Sequence, residues 1–87
     1  MTKTKKWEVI RREVDTGKIR TIETTIGLTI VAITRSIHCQ PDVWKMYWYG
    51  IAEKELENKK LKLAKKEALE LIRKRLKKML IDIESRM

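Results

Sequence analysis

Phenylalanine is missing from this 87-residue chain, and cysteine, histidine and proline each occur once. A single cysteine, Cys39, has no partner for an internal disulfide, which favours a reducing compartment. One His and one Cys cannot complete a four-ligand zinc site unless two copies share it. His38 and Cys39 are sequence neighbours, and neighbouring side chains on an extended segment point apart, so they are not read as a nucleophile with its base. Nor is there a Gly-rich phosphate loop or a paired-carboxylate spacing. Asp15-Thr16-Gly17 spells the aspartic-protease tripeptide, but between Arg11, Arg12, Glu13 and Lys18 it reads as a charged turn that cannot bury a carboxylate dyad. No catalytic residue, metal or cofactor is assigned, and an enzyme is not expected.

Long apolar runs are also lacking. The most apolar stretch, 26–37, is interrupted by Gly27, Thr29, Thr34 and Arg35 and is too short and polar to cross a bilayer. The basic start leads into alternating polar and apolar residues rather than an apolar signal region. Together these predict a cytoplasmic protein without integral membrane association.

What is present is enough for one core. Apolar residues make up 43% of the chain, and 87 residues accommodate a single domain, 1–87. Residues 7–14 and 19–26 read as strands around the Asp15–Lys18 turn, with Ile22, Thr24 and Ile26 alternating against Thr21, Glu23 and Thr25. Residues 28–37 are apolar on both faces near Ile30–Ile33, as in a central strand. His38–Asp42 is a connection containing Pro41, and 43–50 is the last strand. From Ile51 strong helix formers run without Gly or Pro to the end. The fold class expected is α+β: an antiparallel meander of three to four strands within about 7–50, then one long C-terminal helix, about 52–84, packed on the sheet. Leu61, Ala64, Ala68, Leu71, Ile72, Leu76, Met79 and Ile83 share one helix face, whereas Ala52, Leu56 and Leu63 fall nearly opposite. That register break near Asn58 leaves a second possibility, a helix starting near Lys60; the longer helix is the reading preferred.

Charge is the strongest functional signal. Of the net +9, residues 59–78 alone supply ten Lys/Arg against Glu67 and Glu70. On a helix Lys59, Lys62, Lys66, Arg73, Lys74 and Lys77 gather opposite the apolar stripe, and 59–77 spans about 27 Å. A solvated face normally interleaves acids at i, i+4. So concentrated a block points to an anionic partner, and nucleic acid, DNA or RNA, is the leading one. A phage or bacterial regulator would suit such a chain. An acidic surface of a partner protein, on which the basic helix docks as a binding module or inhibitor, is the alternative.

All five aromatics are Trp or Tyr, four of them within 44–49. Trp44, Met46 and Trp48 should join Trp7 in the core, leaving Lys45, Tyr47 and Tyr49 on the other face, where rings beside a cation could stack bases. Finally, four strands about 4.8 Å apart make a sheet 15–20 Å wide, and eight-residue strands are about 26 Å long. A helix over 60–84 is about 37 Å long and must overhang. The apolar residues spread most widely at its C-terminal end, so Leu76, Met79, Leu80, Ile81 and Ile83 are the expected interface of a homodimer.

Overall fold

A computed structural model describes residues 7–35 and 43–87, without the side chain of Ala52. The connection at His38–Asp42 and the end of the third strand at 36–37 lie outside the described residues, and with them the His38–Cys39 pair.

The chain builds β1 (Glu8–Arg12), β2 (Ile19–Ile26), β3 (Thr29–Arg35), β4 (Trp44–Trp48), β5 (Ile51–Glu55) and α1 (Leu61–Ser85). The strands form an open antiparallel meander in the order β1-β2-β3-β4-β5, followed by one long helix: the α+β arrangement expected. The β1–β2 turn is closed by the Glu13 N–H donating to the Lys18 carbonyl at 2.9 Å, and Gly17 takes φ +70°. The Asp15-Thr16-Gly17 tripeptide is therefore the hairpin turn read from sequence. Gly27, at φ +61°, opens the two-residue link from Ile26 to its cross-strand partner Thr29. A positive φ at the first central position suits the twist of a hairpin and favours glycine there.

Two corrections concern the end of the sheet. The sheet has five strands rather than three or four, and the helix starts at Leu61 rather than near 52. Residues 51–55 have helix-forming composition, but a turn at Tyr49–Gly50 folds them back along β4, pairing Met46 with Lys54 and Lys45 with Glu55. The β4 edge offers unpaired backbone groups that an adjacent strand can pair, and this outweighs a weak local preference. The apparent register break near Asn58 is thus the junction between strand and helix. Leu56, buried at that junction, donates its N–H to the Trp44 carbonyl at 2.8 Å.

Alternation works as expected in β2 and β4, and β3 alternates too, with Val31 and Ile33 buried and Ile30 exposed although both of its faces are apolar. Ile22, Val31, Ile33, Trp44, Met46 and Trp48 are buried on one face, where Leu56, Ala64, Ala68 and Ile72 meet them. Trp7 packs at the margin of that core. Both central indoles are satisfied: Trp44 Nε1 donates to the Lys59 carbonyl and Trp48 Nε1 to Thr29 Oγ1, each at 2.8 Å. Arg35, the cross-strand partner of Trp44, lies over its ring at 5.1 Å and reaches the Ile19 carbonyl and Glu13.

Candidate nucleic-acid interface

α1 seats on the sheet through three buried side chains spaced by four, Ala64, Ala68 and Ile72, with Leu61 and Leu71 half-buried beside them. Two alanines let the helix axis approach the Trp44–Trp48 strand closely. This places Lys62, Lys66, Arg73, Lys74 and Lys77 on the solvent side, and all are exposed. Lys59 and Lys60 precede the first turn and are exposed too, with Lys59 held by the bond its carbonyl accepts from Trp44.

The two acids within the basic block do little to neutralise it. Glu67 turns back toward the β5–α1 link: Oε2 accepts the Glu57 N–H at 2.9 Å, and Oε1 accepts the Asn58 N–H at 2.9 Å and the Asn58 side-chain amide at 2.7 Å. Burial by itself would raise the Glu67 pKa. The donors from Glu57 and Asn58, with the nearby charge of Lys54, outweigh it and hold the carboxyl below its usual 4.5. Glu70 makes a long contact to Arg73, at 3.8 Å, between two exposed side chains. Among the described residues, no other cation of the 59–78 block has an ion-pair partner.

The second set of residues read from the sequence lies elsewhere. Lys45 and Tyr47 sit on the sheet face away from α1, in cross-strand rows with Thr34 and Ala32. The Lys45 ammonium meets Glu53 at 3.1 Å, Glu55 is its cross-strand partner, and Glu23 pairs with Ala32 beside Tyr47. That platform therefore carries acids as well as its cation. Tyr49 does not share it. Its ring stands edge-on to Trp48 (6.1 Å, 89°) and lines a hollow with Leu76 and Met79 of the helix. The helix cations and the Lys45/Tyr47 face are thus on opposite sides of the molecule, and one straight nucleic-acid segment cannot touch both.

The expected interface residues Leu76, Met79, Leu80, Ile81 and Ile83 are all exposed, at 38–65%. Leu69 and Arg75 escaped the sequence reading. Leu69 belongs to the same stripe, as its three-residue offset from Ile72 indicates, and lines a hollow of about 350 Å³ with Ile26, Ile72, Leu76 and Leu80. Arg75 is on the face that continues the core but lies beyond the sheet, where it is exposed.

No helix among the described residues is long and apolar enough to cross a membrane. Nor do the described residues contain a group of three or more His, Cys, Asp or Glu able to hold a metal ion. The sequence matches no protein-family model and no curated protein, and the fold matches no solved structure.

Proposed function

We propose that this is a small non-enzymatic nucleic-acid-binding protein that grips phosphates with the solvent face of α1. The observation that carries the reading is an exposed cationic face with little counter-charge: Glu67 turns to the amides of Glu57 and Asn58, and Glu70 makes one long contact, to Arg73. Lys62, Lys66, Arg73, Lys74 and Lys77 lie along about 22 Å of helix, a reach that covers several phosphates of one groove. Such contacts release counterions and make affinity steeply salt-dependent. With a net charge of +9, encounter with a polyanion is accelerated as well. The proposal places the protein in the cytoplasm, as a homodimer in which two basic faces add.

Fluorescence anisotropy of labelled duplex DNA, single-stranded DNA and RNA over a salt series tests the reading. Replacing Lys66, Arg73 and Lys77 with Gln should weaken binding to all sequences alike. It should also reduce the log–log salt slope by up to about three, near one per lost phosphate contact. Lys45→Gln on the acid-flanked sheet face should change the slope little. Unchanged affinity in the triple variant, with its circular dichroism intact, would overturn the phosphate reading and redirect attention to an acidic protein partner.

A further inference from the structure

We propose that the projecting half of α1 pairs antiparallel with the same segment of a second copy, about a two-fold axis between Leu76 and Met79, with Arg75 of each protomer facing the partner's Asp82. The inference rests on the homodimeric state proposed above and specifies how the two chains meet.

The starting point is where the core ends. Ile72 is the last buried residue of α1, and the helix continues to Ser85, about 20 Å further. The molecule is accordingly elongated, 54 Å in its longest dimension against 18 Å in its shortest. The apolar pattern changes at the same place. Over the sheet the contact residues step by four, Ala64–Ala68–Ile72. From Leu69 onward the apolar stripe runs Leu69, Ile72, Leu76, Met79, Ile83, a strict three–four alternation in which all but Ile72 are exposed. A mean spacing of 3.5 is the repeat of a helix that packs along another helix. Continued upstream, that repeat meets Lys65 and Lys62, so the seam begins where the sheet stops being the partner.

The residues flanking the seam decide its direction. One flank carries Arg75 and Asp82; the other carries Arg73 and Leu80. In a parallel pair opposite flanks meet, so Arg75 would face the partner's Leu80 and the two lysine-rich N-terminal halves would lie together. In an antiparallel pair like flanks meet, and Arg75 and Asp82 satisfy each other twice across the two-fold axis. Among the described residues neither side chain has an ion-pair partner within its own chain. The same register stacks Leu76 on the partner's Met79 and sets the partner's Ile83 beside Leu69 and Leu76, Ile72 being covered by its own sheet. It also brings the partner's Met87 toward the 350 Å³ hollow lined by Leu69, Ile72 and Ile26. Ile81 lies off the seam. Lys62, Lys66 and Lys74 remain uncovered, Arg73 and Lys77 border the seam, and the two sheets sit at opposite ends.

Sedimentation equilibrium at tens of micromolar, with circular dichroism as a check on folding, tests both levels. The wild type should run as a dimer of the 10.4 kDa chain, and Leu76→Glu as a monomer. Arg75→Asp and Asp82→Arg should each weaken self-association by on the order of tenfold, because each turns two attractive pairs into two repulsive ones. An equimolar mixture of these two variants should recover the dimer, since every 75–82 contact is then between opposite charges. A wild-type monomer at about 100 μM overturns the dimer itself. A dimer that neither charge variant disturbs overturns only the antiparallel register. Neither result bears on phosphate binding, which the salt slope reads separately.

Discussion

Glu67 turns back from α1 to hold the chain entering it, through two backbone N–H groups and the Asn58 amide. Glu67→Ala leaves the partly buried Asn58 donors unmet and the exposed Glu57 N–H to solvent, and should cost about 1 kcal/mol in chemical denaturation. The loss should carry a pH signature. Because the carboxyl's pKa in the folded state is below its ordinary 4.5, its stabilisation is complete above that value and disappears as pH falls through the lower, folded-state value. The difference in stability between wild type and Glu67→Ala should therefore narrow as pH falls below 4.5. A constant difference below that pH would show that the carboxylate charge is not what holds the link. Gly50 offers a second residue-scale test. A Cβ there would lie 2.5 Å from Cζ3 of the buried Trp48. Gly50→Ala should thus destabilise the protein by about 1–3 kcal/mol and shift Trp fluorescence as the indole moves.

At the scale of elements, α1 and β5 show how far local pattern reaches. The strands β2 and β4 could be read from alternation because one face of each is buried and the other is not, and β3 from its apolar run, although its second face, with Ile30, is not buried. β5 could not. Glu53, Lys54 and Glu55 carry no strand pattern, and their conformation is set by the backbone ladder with β4 and by the Lys45–Glu53 pair. The basic face of α1 was legible from spacing alone, since Lys62, Lys66, Arg73, Lys74 and Lys77 at helical intervals share a side whatever the helix packs on; Lys59, expected with them, precedes the helix. The separation of Lys45 and Tyr47 from that face was not, because it depends on which side of the sheet the helix takes. The same packing makes Ala64 and Ala68 sensitive positions. Both are wholly buried between helix and sheet, so Ala68→Leu should force the elements apart and cost about 1–3 kcal/mol. Lys66→Gln, on the solvent side of the same turns, should fall within about 0.5 kcal/mol of wild type. Equal effects would mean that the helix does not seat on the sheet through its alanines.

For the molecule as a whole, the core and the projecting helix separate stability from association. Nothing beyond Ile72 on α1 is buried, so removing residues 77–87 should leave the sheet folded. At sub-micromolar concentration, where an associated form has dissociated, the thermal midpoint should stay within a few degrees of wild type. The truncated chain should lose self-association, and its salt slope for nucleic acid should flatten with the loss of Lys77 and Lys78. A midpoint lowered by more than about ten degrees would show that the projection supports the sheet within one chain.

Composition and spacing by themselves determined that one core of β-strands and a helix forms, that Trp44, Met46 and Trp48 face inward, and that a continuous cationic face exists. These follow from periodicity and charge, which are properties of neighbours along the chain. Tertiary structure decided that 51–55 is a strand, that α1 starts at Leu61, and that its last buried residue is Ile72, beyond which Leu76, Met79 and Ile83, already expected to overhang, are exposed. Each of these depends on a partner distant in sequence: the open edge of β4, the bond from Trp44 to the Lys59 carbonyl, and a sheet too short to underlie a helix of 25 residues.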